Sequence, residues 1–277
     1  MACKLLETGS PRPDRPVRAR RTRGILIVVF LALLSAYAIS VGLFVSLKCV
    51  ATDQHVADLL YNLRDDRMVA LFAWITALGN WRTVVAALAG ATSALLLLRR
   101  TEFLAALWFV AAGNQLTVTL LKSAFNRPRP AIAYFTETSG SFPSGHAAAA
   151  VAVWGMLCYL GWRLGWLRGG TAVLWAVALA VLIGFSRIYL GEHYLSDVVN
   201  GGLIGALWFT VGVAACEWWS DPRSNAATPV ASGRRQGPAV FAMALGLGAA
   251  AVVASTLPPA VNHAAQPVPP AVEPAAN

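Results

Sequence analysis

The chain has 277 residues, of which 57% are hydrophobic and only 13% are charged, and its mean hydropathy is +0.59. A soluble domain of this length is far more polar, so the composition indicates a protein that resides in a lipid bilayer. The formal net charge of +9 comes from short basic segments between apolar runs, which is typical of topology signals. We therefore exclude nucleic acid as a partner.

The chain begins with a basic N-terminal segment, 1–24, which is followed by an apolar run at 25–47. This run is too long for the core of a cleaved signal peptide and shows no clear cleavage site of small residues. We expect a signal anchor that stays in the membrane and keeps the basic N-terminal segment in the cytoplasm. A removed signal peptide is the alternative.

Apolar stretches long enough to cross a bilayer, or nearly so, recur along the rest of the chain. They predict an all-α, polytopic transmembrane helix bundle with a six-helix core within residues 25–217. The predicted spans are 25–47, 83–98, 103–121, 147–164, 171–185 and 198–216.

Three segments follow this core. The stretch 218–238 is poor in large apolar residues and is predicted to be a flexible cytoplasmic linker. The stretch 239–257 is rich in Ala and Gly and either spans the membrane as a seventh helix or lies at its surface, and we favour the span. The Pro- and Ala-rich tail, 258–277, is predicted to be disordered.

The distribution of basic residues predicts the orientation of the bundle. With the N-terminus in the cytoplasm, the inner segments hold most of the 22 Lys and Arg residues, in agreement with the positive-inside rule. The polar segments 122–146 and 186–197 then lie at helix ends on the exterior side of the membrane. The excess of Arg over Lys, 19 against 3, and the many Ala residues indicate a bacterial cytoplasmic membrane. The two polar segments would share one side even in the opposite orientation, so the motifs that they contain can meet.

The segment 51–82 between the first two spans shows apolar residues at helical spacing with charged residues interleaved. We expect helices that lie on the outer leaflet. They either form a lip that guides a lipid headgroup to the site or serve as a packed connection.

Cationic side chains gather in the stretches KSAFNRPRP and SRIYLGEHYLSD. Lys122, Arg129 and Arg187 suit the oxygens of a phosphate group, because arginine offers a planar fork of donors and lysine a point charge. An interfacial lysine that snorkels from a helix end is the alternative interpretation of Lys122. Arg127 lies between these residues, and we give it a secondary role in supporting the anion.

The tetrapeptide PSGH, 143–146, precedes an alanine-rich stretch and therefore falls at a predicted helix N-terminus. The free amides and the dipole at such an end favour an anion, so Ser144 and the amide of Gly145 are candidates for holding phosphate. Alternatively, Ser144 is an ordinary N-cap and His146 a polar residue of the first turn.

His193 and Asp197 are four residues apart, which predicts that they share one face of a helix. The carboxylate would then hold one imidazole nitrogen while the other nitrogen faces the substrate as a nucleophile. A structural pair that caps a helix is the alternative. Glu192 is expected to point elsewhere on the helix and receives no role.

The sequence contains no evident metal site. Its four cysteines fall in four different settings, and the predicted exterior segments lack a carboxylate cluster of the kind that holds two divalent ions. We therefore expect neither a metal ion nor another cofactor.

Together, the three polar segments follow a single spacing pattern. It resembles the pattern of the type 2 phosphatidic acid phosphatase superfamily, the membrane-embedded lipid phosphate phosphatases, over about residues 25–217. All three segments match without a departure: Lys122, six residues, Arg129 and Pro130; then PSGH; then Ser186 and Arg187, five residues, His193, three residues, Asp197.

The resemblance implies a six-helix core and metal-independent hydrolysis through a covalent phosphohistidine. It implies that His193 is the nucleophile, that Asp197 orients it, and that His146 is the general acid for the leaving oxygen. The implied substrate is a phosphorylated lipid such as phosphatidic acid, phosphatidylglycerol phosphate or polyprenyl pyrophosphate. The implied phosphate-binding positions are Lys122, Arg129, Ser144, Gly145 and Arg187.

Two other functions are compatible with the same residues. A lipid phosphotransferase would use the same phosphohistidine and pass the phosphoryl group to a second lipid. A non-catalytic lipid-binding or transport protein would instead use its intramembrane charges to line a pathway. The intact set of His146, His193 and Asp197 favours an enzyme.

Overall fold

The computed structural model describes residues 15–219 and, beyond them, Gly246 alone. All regular secondary structure in this part of the chain is helical, which confirms the predicted all-α class. The helices are α1 (Arg15–Val45), α2 (Val50–Asn62), α3 (Asp66–Ala77), α4 (Trp81–Leu97), α5 (Leu104–Phe125), α6 (Gly145–Arg163), α7 (Gly169–Tyr189) and α8 (Leu195–Trp219).

Five of these helices are long and apolar enough to cross a membrane, and α3 with α4, bent by 43° relative to each other, form a sixth candidate span. The six spans of the predicted core are thus present among the described residues. The second span differs from the prediction because it includes α3 as well as α4. Nearly all of the predicted linker, seventh span and tail (218–238, 239–257 and 258–277) lies outside the described residues.

Helix α1 starts at Arg15, inside the predicted basic N-terminal segment 1–24. Pro16 falls in its first turn, where the missing amide costs no hydrogen bond, and the arginines that follow are good helix formers. The basic stretch before the first span is therefore helical from residue 15 onward.

The segment between α1 and α4 forms the helices α2 and α3. Asp65 accepts a hydrogen bond from the backbone nitrogen of Arg67 at 2.9 Å, and Asn80 accepts one from that of Arg82 at 2.9 Å, so the carboxylate and the amide fix the starts of α3 and α4. Helix α2 packs against α7 and α8, and α3 packs against α7. The segment is therefore packed against the bundle.

Helix α8 is the central element and touches α1, α5 and α6. A side chain could not be placed at two of its glycines: a Cβ atom at Gly201 would lie 2.3 Å from the carbonyl oxygen of Ser144, and one at Gly205 would lie 2.4 Å from that of Ala148. Small residues allow helices in a membrane to approach this closely. The approach brings the start of α6 against the start of α8.

The core and the outer surface are both apolar, as expected for a bundle in lipid. Leu107, Val110 and Met156 are fully buried between the helices. Large side chains such as Val28 on α1 and Leu174 on α7 are about two-thirds exposed, at 65% and 66%. A continuous apolar surface of this kind would be unfavourable in water and indicates contact with acyl chains.

Candidate active site

The predicted polar segments meet at one end of the bundle, where α5 and α7 end and α6 and α8 begin. The backbone nitrogen of Ser144 donates to the carbonyl oxygen of Asp197 at 3.0 Å, which joins the second segment to the third. Arg127 donates to the Asp197 carboxylate at 2.6 Å, which joins the first to the third. The structure therefore brings the three segments together on one side of the bundle.

His193 is buried, with 2% of its surface exposed, but it does not lie on a helix. The prediction of a shared helix face is wrong because α8 begins only at Leu195, which leaves His193 in the preceding turn. Its Nδ1 atom lies 3.8 Å from Oδ2 of Asp197, too far for a direct hydrogen bond. The carboxylate is near the imidazole, but the connection between them is indirect.

Ser141 provides that connection, and sequence reasoning missed it. Its hydroxyl donates to Oδ2 of Asp197 at 2.6 Å and lies 3.3 Å from Nδ1 of His193. Because the hydroxyl donates its hydrogen bond to the carboxylate, the serine oxygen is available to accept a hydrogen bond from the N–H group of Nδ1. This arrangement favours the tautomer in which Nε2 of His193 keeps its lone pair.

Burial lowers the pKa of His193 to about 4. The ring is therefore neutral at pH 7, as a nucleophilic imidazole must be. Charged neighbours act in both directions, because Asp197 favours the protonated ring while Arg187 opposes it.

The carboxylate of Asp197 is completely buried and accepts three hydrogen bonds. The donors are the Ser141 hydroxyl, the backbone nitrogen of Tyr194 at 2.9 Å and Nη1 of Arg127. The other terminal nitrogen of Arg127 donates to Asp53 at 2.9 Å. Arg127, which we predicted as a secondary support for the anion, thus has both terminal nitrogens on carboxylates.

The other cations form a group that we call the cradle: Lys122, Arg129 and Arg187. Lys122 is half-buried and donates to the carbonyl oxygen of Gly140. Arg187 is 1% exposed and donates through Nη1 to the hydroxyl of Thr76 at 2.9 Å. Its Nε atom is buried and has no hydrogen-bond partner among the described residues.

Glu192, to which the sequence assigned no role, is part of this region. It lies in the turn before α8 and is fully buried, so the expectation that it points elsewhere on a helix is wrong. Its carboxylate accepts a hydrogen bond from the backbone nitrogen of Phe135 at 2.5 Å and lies 3.4 Å from Arg129 and 3.5 Å from Arg187. Glu192 therefore holds the two guanidinium groups side by side. Burial raises the pKa of this carboxyl group.

Glu137 is a second carboxylate that the sequence did not reveal. Its side chain, 35% exposed, contacts Arg129 at 2.8 Å and Arg187 at 3.3 Å from the loop between α5 and α6. Burial raises the pKa of Glu137, but the guanidinium groups of Arg187 and Arg129 outweigh that effect and lower it below its usual value. The carboxylate of Glu137 thus lies against two of the three cations of the cradle.

The PSGH segment forms the start of α6. Ser144 is fully buried, and its hydroxyl accepts a weak hydrogen bond from the backbone nitrogen of Ala147 at 3.5 Å. His146 follows in the first turn, and the bend between α3 and α4 packs against it, because a Cβ atom at Gly79 would lie 2.8 Å from its ring. The bent second span therefore adds Thr76 and Gly79 to the site, which no motif indicated.

No group of three or more His, Cys, Asp and Glu side chains is placed to hold a metal ion within the part of the chain that the structure describes. No disulfide joins Cys49, Cys158 and Cys216 in that part either.

The helices of membrane-spanning length thus gather cations and two histidines at one end of a bundle, which is the architecture of a polytopic membrane protein. Residues 103–221 match the family model described as the PAP2 superfamily, so this part of the chain is similar to that family. The resemblance drawn from the three motifs is thereby confirmed. Asp53, Thr76 and Gly79 lie before the matched region.

Curated relatives are bacterial proteins. Phosphatidylglycerophosphatase B from Bacillus subtilis is 38% identical over 100 residues, which cover 35% of this chain and 49% of the relative. The undecaprenyl-diphosphatase BcrC from Bacillus subtilis is 32% identical over 94 residues, 32% of this chain and 44% of the relative. The lipid A 1-phosphatase from Rhizobium johnstonii is 33% identical over 116 residues, 38% of this chain and 44% of the relative. The chain thus spans less than half the length of these relatives.

A solved structure shows the same fold. The crystal structure of a transmembrane PAP2-type phosphatidylglycerolphosphate phosphatase from Bacillus subtilis matches with a TM-score of 0.63, covering 72% of this chain and 98% of that chain. The sequence identity is 23%, so this likeness concerns the fold alone.

Proposed function

We propose that this protein is an integral membrane phosphatase that removes a terminal phosphate from a lipid headgroup through a phosphohistidine at His193. The observation that carries the proposal is the environment of His193: a buried, neutral imidazole whose Nδ1 is tied through Ser141 to Asp197. The three curated relatives are named as phosphatases or diphosphatases, and each of the three names specifies a phosphorylated lipid. Both lines support hydrolysis of a lipid phosphate.

In the first step, Nε2 of His193 attacks the phosphorus atom, so that a P–N bond forms as the P–O bond to the lipid breaks. Lys122, Arg129 and Arg187 stabilise the charge on the phosphoryl oxygens, aided by Ser144 and the amide of Gly145 at the start of α6. The carboxylate of Glu137 leaves the cradle as the phosphate enters.

His146 gives its proton to the leaving oxygen of the lipid alcohol. In the second step it accepts a proton from water, whose oxygen forms the new P–O bond while the P–N bond breaks. The products are inorganic phosphate and the dephosphorylated lipid, and both histidines return to their starting states. Asp197 stabilises the imidazolium character that develops on His193 during transfer.

The substrate is a lipid because the site lies at the ends of helices whose outer surface is apolar. Phosphatidic acid, phosphatidylglycerol phosphate and polyprenyl pyrophosphate all present a terminal phosphate beside an acyl or prenyl chain. We place the protein in the bacterial cytoplasmic membrane, with a cytoplasmic N-terminus and an exterior active site, since the basic residues follow the positive-inside rule.

The test uses the purified protein in detergent with a panel of phosphatidate, phosphatidylglycerol phosphate, polyprenyl pyrophosphate and a soluble sugar phosphate. We expect kcat/KM to be highest for one of the lipids, and His193→Ala to lower it by roughly a thousandfold or more. His55→Ala, which changes an exposed histidine on α2, serves as the matched control. Preference for the sugar phosphate, or substantial turnover by His193→Ala, would overturn the proposal.

A further inference from the structure

Asp53 on α2 is a buried carboxylate, with 2% of its surface exposed, and it lies outside the region that matches the family model. Its Oδ1 atom accepts a hydrogen bond from the backbone nitrogen of Ser196 at 2.9 Å. Its Oδ2 atom accepts from the Ser196 hydroxyl at 2.5 Å and from Nη2 of Arg127 at 2.9 Å. Both oxygens are thus bound by residues that adjoin Asp197.

A buried carboxylate is unfavourable unless charged partners and hydrogen bonds compensate its desolvation. A helix that served only as a connection could pack through apolar side chains alone, such as the buried Ala57 on α2. The charge at residue 53 is instead directed at Arg127 and at the start of α8. Its position therefore calls for an explanation that involves those two partners.

The guanidinium group of Arg127 is confined on every side that the structure describes. Its carbon atom lies 4.9 Å from the ring centre of Phe44 and 4.2 Å from that of Tyr194. Asp53 binds one terminal nitrogen, and Asp197 binds the other. The result is a continuous chain of contacts that we call the arm: Asp53, Arg127, Asp197, Ser141 and His193.

We propose that Asp53 is a positioning residue that fixes Asp197, through Arg127 and Ser196, so that the nucleophilic imidazole keeps its proton on Nδ1. The inference rests on the proposed function, since it concerns the residue that we assign as nucleophile. Asp53 does not touch the substrate, and its effect is exerted through the arm.

The physical reason is the sharing of one positive charge between two carboxylates. With Asp53 present, Arg127 is attracted from both ends and Asp197 remains free to accept from Ser141. Without the charge on residue 53, Arg127 interacts with Asp197 alone and draws it away from Ser141, because the attraction is strong where water is excluded. The hydroxyl of Ser141 then turns freely, and the Nδ1–H tautomer of His193 loses its acceptor.

The test compares Asp53→Asn with wild type, since this change removes the charge and keeps the shape. We expect kcat to fall by roughly tenfold while KM changes by less than about twofold. Nitrogen-15 NMR of labelled histidine at pH 7 reports the tautomer of His193 without turnover, and we expect the Nε2–H form to appear in the variant. Asp53→Glu, which restores the charge, should recover part of the lost kcat and part of the Nδ1–H population of His193.

Asp58→Asn is the matched control, because Asp58 is exposed on the same helix and bonded only to Gln54 among the described contacts; it should leave both readouts unchanged. Wild-type kcat and tautomer in a folded Asp53→Asn variant would overturn the inference. If that variant does not fold, Ser196→Ala removes the hydroxyl that contacts Asp53 and Arg127. It should then lower kcat and raise the Nε2–H population, and wild-type values would overturn the inference equally.

The two proposals fail separately. A wild-type protein that hydrolyses no lipid phosphate removes the proposed function, whereas the tautomer comparison still decides the role of Asp53.

Discussion

The arm and the cradle contain similar residues but differ in how their charges are paired. In the arm, Asp53 and Asp197 are buried and bind Arg127 from both ends, so its terminal nitrogens have permanent partners. In the cradle, Arg129 and Arg187 are paired in part with Glu137, which is 35% exposed, and Nε of Arg187 has no described partner. Closed pairing fixes a side chain, whereas displaceable pairing leaves donors for an incoming anion.

The comparison implies distinct kinetic effects. Changes in the arm should lower kcat with little effect on KM, because the arm orients the nucleophile. Changes in the cradle should alter substrate binding or kcat/KM, because in the proposed mechanism the cradle contacts the phosphate in both the ground state and the transition state.

After the loss expected for His193→Ala, the largest effect is expected for Arg187→Lys. Lysine keeps the charge but cannot reproduce the fork that meets Thr76, Glu137 and the phosphate together. We expect kcat/KM to fall by roughly a hundredfold. Arg168→Lys, at the opposite end of the same helix and exposed, is the control, and similar losses in both variants would remove Arg187 from the cradle.

A smaller effect is expected for Ser141→Ala. The change removes the hydroxyl between Asp197 and His193, so kcat should fall by roughly tenfold while KM stays within about twofold. Steady-state kinetics on the preferred lipid measure both values. Ser123→Ala, an exposed serine on α5, is the control. A rise in KM without a change in kcat would place Ser141 in binding and not in the arm.

Glu137→Gln should act in the opposite direction from the other changes. If phosphate binds Arg129 and Arg187 as proposed, the carboxylate competes with it for them, so the neutral replacement should lower KM by about threefold. Glu102→Gln, near the start of α5, is the control. A higher KM in Glu137→Gln would mean that Glu137 organises the cradle and does not compete for it.

The smallest effect is expected for metal removal. All charge stabilisation in the proposed mechanism comes from cations of the chain, so incubation with a strong chelator should leave the rate unchanged within error. Loss of activity that a divalent cation restores would contradict this prediction.

The sequence predicted the components of the cradle because they are charged groups beside apolar runs, where such groups are unfavourable without a function. It predicted the arm only in part. The helix-face argument failed for His193, because spacing cannot show that α8 starts two residues later, at Leu195. Ser141 lies just before the PSGH segment in the sequence, and this proximity is the one signal that could have placed it near His193.

Asp53 and Glu137 had no local signal. Their roles depend on partners far along the chain, Arg127 and Ser196 for the first and Arg187 for the second. Such contacts follow from the packing of α2 on α8 and from the path of the loop after α5, which hydropathy does not specify. The bend between α3 and α4, which brings Gly79 to His146, was missed for the same reason.

Direct detection of the phosphorylated enzyme tests the central claim. The protein is mixed with its preferred lipid labelled in the terminal phosphate, quenched within milliseconds under conditions that preserve phosphoramidates, and mapped by mass spectrometry. The account predicts label on His193 in the wild type and none on that peptide in His193→Ala. Label on another residue, or steady turnover with no labelled protein at any quench time, would contradict it.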